Sequence, residues 1–136
     1  MDAHRTRLVA AGAAAGSAIL YYLIGLGVLN IGESTTGADP DLLGFGLTTG
    51  SAFVGFAILV LLVRRRWLLA LLGLFDTAVI VGYFGFAWLR EPQFEVWGLA
   101  IKVLEGVALV AIGALVFGHR EARRTAGTLA VGGTSS

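Results

Sequence analysis

The chain has 136 residues, of which 57% are hydrophobic and 14% are charged, with a net charge of +1 and no cysteine. A soluble domain of this length needs more charged side chains to cover its surface, which excludes soluble enzymes and nucleic-acid-binding proteins. The absence of cysteine excludes disulfides and thiol chemistry.

Four apolar stretches follow one another along the chain, and each is long enough to cross a bilayer as a helix. A helix of about 20 residues, rising ~1.5 Å per residue, spans a hydrocarbon core of about 30 Å. Period-two alternation is absent, which excludes a barrel. The predicted fold is an all-α integral membrane protein, a four-helix transmembrane bundle formed by residues 1–118. The predicted spans are 8–29, 42–63, 67–89 and 97–118.

The ends of the predicted spans carry residues that commonly begin or end membrane helices. Asp39 is a plausible N-cap, and Pro40 after it suits the first helical position of the second span. The pair 91–92, Glu-Pro, is expected to end the third span. Tryptophan prefers the level of the lipid headgroups, and all three tryptophans fall at predicted span ends: Trp67, Trp88 and Trp97.

Arginine is concentrated on one side of the predicted membrane, and this sets the orientation. The positive-inside rule then places both termini in the cytoplasm. Residues 119–136, basic and then rich in Gly, Ser and Thr, are predicted to form a disordered cytoplasmic tail. Nine arginines against one lysine suggest a GC-rich prokaryote, so the expected location is a prokaryotic cell membrane. The arginines on this side are Arg5, Arg7, Arg64, Arg65, Arg66, Arg120, Arg123 and Arg124.

Glycine is abundant for so apolar a chain, with 20 residues. Lipid gives helices little hydrophobic drive to associate, so small residues that allow close backbone approach are expected where helices meet. Gly46 and Gly50 form one such pair, and Gly106 and Gly113 lie on one face of the fourth span. Packing within one bundle is the preferred interpretation, and a dimer interface is the alternative.

Three ionisable residues lie inside the predicted spans: Asp76 in the third, and Lys102 and Glu105 in the fourth. A charge at mid-bilayer costs from ~2.5 to more than 10 kcal/mol, so such residues face the bundle interior and find partners. The i, i+3 spacing of Lys102 and Glu105 places both on one helix face, where an ion pair can form. Two carboxylates against one ammonium leave excess negative charge, so one carboxylate is expected to hold a proton.

Hydroxyl groups in the other spans map to the middle or the outer half of the predicted bundle. The cytoplasmic half is almost purely aliphatic, as in residues 58–63, 68–72 and 109–117. Any polar pocket built on the charged residues is therefore expected to open outward. The predicted pocket-lining residues are Tyr21, Thr48, Ser51, Thr77 and Tyr83.

Two interpretations of the charged residues stay open. They form either a buried network that fixes which helices meet, or a cavity where a carboxylate exchanges a proton or binds a polar or cationic ligand. The functional interpretation favours small-solute or proton-linked transport, with a homo-oligomer expected because four helices offer little room. The alternative is a non-transporting accessory or scaffold subunit of a larger membrane complex.

Motifs of the common enzyme classes are absent from the sequence. There is no phosphate-binding glycine loop, zinc-binding helix or serine nucleophile elbow, and both histidines, His4 and His119, lie outside the spans. We expect no enzymatic activity, cofactor, metal or nucleic-acid partner, although paired carboxylates leave an intramembrane enzyme as an alternative. In size and four-span plan the chain resembles the small DoxX-like membrane proteins. That resemblance concerns architecture only and implies no site residue and no activity.

Overall fold

A computed structural model describes residues 2–29, 40–88 and 96–131, and only the backbone of Pro40, Ala87 and residues 119–131. Throughout these residues the regular structure is helical, in four helices. Each contains a stretch long and apolar enough to cross a membrane, as the sequence predicts. The helices are α1 (Ala3–Gly25), α2 (Pro40–Leu62), α3 (Arg66–Ala87) and α4 (Val96–Val131).

Helix α1 begins and ends earlier than the predicted span 8–29. It begins at Ala3 because Asp2 is its N-cap, with the Asp2 side chain accepting a hydrogen bond from the backbone N–H of His4 at 3.4 Å. It ends at Gly25, and Gly27 has a φ of 69°. Glycine adopts this left-handed conformation without steric cost, which explains why the helix stops before the apolar stretch does.

The other helix ends agree with several sequence predictions. Helix α2 begins at Pro40. Trp67 and Trp97 are the second residues of α3 and α4, and Trp88 is the C-cap of α3. The predicted N-cap Asp39 and the predicted stop at residues 91–92 lie outside the described residues.

Helix α4 continues beyond Gly118, where the fourth predicted span ends, to Val131. The backbone of residues 119–131 is thus helical where the sequence predicts a disordered tail. Residues 120–124, Arg-Glu-Ala-Arg-Arg, are strong helix formers, which favours continuation of the helix. Residues 132–136 lie outside the described part of the chain.

The helices do not pack in chain order. Helix α1 packs against both α2 and α4, and α3 packs mainly against α4 and barely touches α2. The order around the bundle is therefore α2, α1, α4, α3. Aromatic side chains bridge the gap between α2 and α3, where Phe75 lies 6.0 Å from Phe53 and 6.4 Å from Phe56 between ring centroids.

The closest helix contact is between α1 and α2, at Gly25 and Gly46. A Cβ added to Gly46 would lie 2.5 Å from the Cα of Gly25 and 2.6 Å from the carbonyl oxygen of Tyr21. Gly50, one turn further along α2, lies against the ring of Tyr22. Gly46 and Gly50 therefore allow helix packing within the bundle, as the sequence predicts.

One end of the bundle, the arginine end, carries the start of α1, the turn between α2 and α3, and Gly118 of α4. Here the Nη1 of Arg7 donates hydrogen bonds to the carbonyl oxygens of Val60 at 2.6 Å and Val63 at 2.5 Å. The last carbonyls of a helix lack intrahelical partners, so Arg7 satisfies the end of α2 and ties it to α1.

Candidate functional site

Lys102 and Glu105 form an ion pair on one face of α4. The Nζ of Lys102 lies 2.5 Å from the Oε2 of Glu105, and the two residues are 8% and 0% exposed. The i, i+3 spacing therefore produces the ion pair that the sequence predicts. Charge-assisted hydrogen bonds of this kind are among the strongest in proteins, and a buried one fixes both side chains.

Tyr21 of α1 completes a three-residue network with this pair. Its hydroxyl donates to the Oε1 of Glu105 at 2.9 Å and accepts from the Nζ of Lys102 at 3.1 Å. The ring of Tyr21 stacks on Phe53 of α2, with centroids 5.6 Å apart. Each carboxylate oxygen of Glu105 thus has a donor, and the network joins α1 to α4.

Tyr83 of α3 covers the network on the side away from the arginine end. Its ring centroid lies 5.1 Å from the Nζ of Lys102, a cation–π distance. Gly98, one turn before Lys102 on α4, leaves space for this ring, since a Cβ there would lie 2.9 Å from the Cε2 of Tyr83. The ring of Tyr83 thus packs against Gly98 and lies over the ammonium group of Lys102.

Asp76 of α3 belongs to the same buried cluster as Tyr21, Lys102 and Glu105, but unlike them it makes no side-chain hydrogen bond with the described residues. It is 0% exposed, and neither carboxylate oxygen has a hydrogen-bond partner among the described residues. The charges of Lys102 and Glu105 act on it across the helix interface. Because a buried carboxylate without a hydrogen-bond partner is costly, and because Lys102 is already paired with Glu105, Asp76 is expected to hold a proton or bind a small cation.

Ser17, one turn before Tyr21 on the same face of α1, is a buried polar residue that is not among the predicted lining residues. It is 0% exposed, and its Oγ has no partner among the described residues. The contacts of Gly16 with Leu104, and of Gly73 with Ile112 and Leu109, show the register of the helices. That register places Ser17 and Asp76 near the level of Glu105. The signal available in the sequence was the i, i+4 spacing from Ser17 to Tyr21.

The remaining predicted lining residues bond elsewhere. Thr48 is exposed and its Oγ1 donates to the carbonyl oxygen of Gly44, 2.7 Å away on the same helix. Ser51 is exposed and shares a hydrogen bond of 3.0 Å with the hydroxyl of Tyr22. Thr77 is half-buried and donates to its own helix at Gly73, at 2.8 Å. The structure therefore brings only Tyr21 and Tyr83, of the five predicted lining residues, to the charged cluster.

The fold and the cluster together define a multi-pass membrane protein with four candidate spans and a buried Lys–Glu–Tyr network beside an unpartnered aspartate. Within the described part of the chain, no three His, Asp or Glu side chains come together as a metal-binding group. Comparison of the chain with protein-family models, curated proteins and solved structures finds no match.

Gly98→Ala is expected to displace Tyr83 and expose Lys102. The added methyl group occupies the position of the Tyr83 ring edge, and the flexible tyrosine side chain moves rather than the helix. Lys102 is the only lysine of the chain, so peptide mapping after amine-specific labelling reports directly on its accessibility. We expect several-fold faster labelling of Lys102 in G98A than in the wild type.

Gly85→Ala is the matched control, because nothing lies within 4 Å of a Cβ at Gly85. Unchanged labelling of Lys102 in G98A, or an equal increase in both variants, would contradict the covering role of Tyr83.

Proposed function

We propose that the protein crosses a prokaryotic cell membrane four times, with both termini in the cytoplasm, and carries out small-solute transport linked to protonation of Asp76. The four long apolar helices and the arginine end support this placement. The transport function is non-enzymatic and uses Asp76 as the group that takes up and releases the proton.

The observation that carries this function is the buried, unpartnered carboxylate of Asp76. A structural ion network is stable when every charge in it has a partner, and Glu105 meets this requirement through Lys102 and Tyr21. Asp76 does not meet it within the described residues. Its negative charge is compensated when a proton or a small cation binds, and exchange between these states is what proton-linked transport requires.

The residues around Asp76 favour proton entry from one side of the membrane. The arginine half of the bundle is aliphatic, with Val60, Leu69 and Ile112 fully buried. Toward the opposite end, the charge of Lys102 acts on Asp76, and the ring of Tyr83 lies 5.1 Å from the Nζ of Lys102. We therefore place the proton entry on the outer side of the membrane, with Tyr83 as the residue that must move to open it.

Proton flux in proteoliposomes tests this function. Purified protein is reconstituted with a pH-sensitive dye inside, and an inward proton gradient is imposed while candidate cationic or polar solutes are supplied. We expect Asp76→Asn to abolish the flux, because the amide keeps the size of the side chain and cannot carry the proton.

Thr77→Val is the matched control. Thr77 is the next residue on α3, and its hydroxyl bonds only its own helix in the described contacts. This variant is expected to retain the wild-type flux. Flux that is equal in D76N and T77V would rule out Asp76 as the proton carrier.

A non-transporting accessory subunit is the second candidate function, and a groove on the α1–α4 face favours it. This groove has a volume of about 480 Å³ and is nearly all apolar, with Val103, Gly106 and Val110 along α4 and Val9 on α1. A helix of a larger membrane complex fits such a surface of small and β-branched residues. No proton flux, together with a co-purifying partner that Gly106→Leu releases, would support this function instead of transport.

A further inference from the structure

A cavity at the arginine end is lined by basic side chains from two parts of the chain. It has a volume of about 300 Å³, at the lower end of the range for ligand pockets. Arg7 comes from α1, and Arg64 and Arg66 come from the turn before α3 and its first residue. Three arginines lining one small cavity favour the binding of an anion.

The hydrogen bonds of these arginines leave donors for a ligand. Arg7 uses its Nη1 for the carbonyl oxygens of Val60 and Val63, so those bonds hold the guanidinium in place without engaging Nη2 or Nε. Arg64 and Arg66 are exposed and make no ion pair within the described part of the chain. The cavity therefore has one anchored and two adjustable basic side chains.

The start of α3 adds backbone donors to the same place. Its N-cap is Arg65, whose side chain makes no capping hydrogen bond. The first N–H groups of a helix have no intrahelical partner and attract anions, and Arg66, the first residue of α3, lines the cavity. The N–H of Leu69 is already bonded to the carbonyl oxygen of Arg65, so Leu69 contributes only its side chain. An anion in the cavity can accept a hydrogen bond from a backbone N–H at the start of α3, which no side-chain cap satisfies.

The opposite wall of the cavity is apolar. It consists of Leu69 of α3 and of Ala114 and Leu115 of α4. An acyl chain can lie along these residues while the phosphate contacts the arginines, and basic pockets between membrane helices commonly hold anionic headgroups. We propose that this cavity binds the phosphate group of an anionic ligand, and that an anionic phospholipid fits both of its walls.

This site is independent of proton transport and of the Asp76 cluster, so either can fail without the other. The proposal predicts different roles for two neighbouring arginines. Arg66 lines the cavity, whereas Arg65, the preceding residue, does not. A general attraction of basic residues to the membrane surface would depend equally on both.

Lipid binding by the purified full chain in a neutral detergent tests the proposal. Native mass spectrometry measures the affinity for added phosphatidylglycerol, for phosphatidylcholine and, separately, for inorganic phosphate. We expect preferential binding of phosphatidylglycerol, weakened about tenfold in Arg66→Gln through loss of a charge-assisted hydrogen bond. Arg65→Gln should weaken it less than about fivefold, through loss of long-range attraction alone.

The remaining outcomes distinguish the source of the phosphate. Binding of inorganic phosphate that competes with phosphatidylglycerol and shows the same dependence on Arg66 would support the site and identify free phosphate as a ligand. Equal effects of R65Q and R66Q, equal binding of both lipids, or no binding of either lipid or phosphate would overturn the proposal. Both arginines are exposed, so the two variants are expected to fold alike.

Discussion

Lys102→Met is expected to destabilise the protein by about 3–5 kcal/mol, the cost of removing one partner from a buried ion pair. Among the described residues, the substitution leaves the buried Glu105 carboxylate with only the Tyr21 hydroxyl as a donor, and it removes the positive charge of Lys102 that acts on Asp76. Asp76→Asn removes a charge that has no hydrogen-bond partner among the described residues, so it should cost much less. Thermal unfolding in one detergent and expression level measure both effects.

A second substitution separates the loss of the ion pair from a general packing defect. Adding Glu105→Gln to Lys102→Met removes the stranded charge, so the double variant should be more stable than the sum of the two single effects implies. Equal expression and equal thermal stability of D76N and K102M would contradict the network.

Gly46→Ala is expected to separate α1 from α2 and to cost about 3 kcal/mol, at the upper end for overpacking. The new methyl group would meet the Cα of Gly25 and the carbonyl oxygen of Tyr21, and backbone atoms cannot rotate away as a side chain can. Because Tyr21 lies at this contact, the shift should also disturb its hydrogen bond to Glu105. Thermal unfolding again measures the loss.

Gly44→Ala is the matched control on the same helix, because nothing lies within 4 Å of a Cβ at Gly44. Alanine is favoured over glycine in helices by about 1 kcal/mol, so G44A should unfold at the same temperature as the wild type or higher. Equal destabilisation by G44A and G46A would contradict the close α1–α2 contact.

The number of helices and most of their ends follow from the sequence because they depend on local properties. Apolar length predicts each helix, and Pro40 begins α2 as expected. The early start of α1 depends on capping by Asp2, which a search for apolar residues overlooks. The order α2, α1, α4, α3 could not be predicted, because it depends on which faces fit together.

The part of the charged site that lies on a single helix could be predicted from the sequence. The pairing of Lys102 with Glu105 follows from their spacing on α4, and the spans contain few other charges. The sequence does not specify which hydroxyl stripe faces inward, so it predicts Thr48 and Ser51 as lining residues alongside Tyr21, although both are exposed. In an apolar setting a hydroxyl can bond its own helix backbone, as Thr48 does, and then needs no polar interior.

Contacts between distant parts of the chain could not be predicted. The space that Gly98 leaves for Tyr83 depends on the register of α3 against α4. The basic cavity likewise requires Arg7 and Arg66 to meet at one end of the bundle. The sequence indicates only that such arginines share a side of the membrane.

The most direct test of the central claim, that Asp76 carries a proton across the membrane, is the ratio of proton flux between D76N and T77V. Both variants are reconstituted at matched density into identical proteoliposomes, and the same gradient is applied. We predict wild-type flux for T77V and no flux above empty liposomes for D76N. Undiminished flux in D76N would contradict the claim and leave Asp76 as a structural residue.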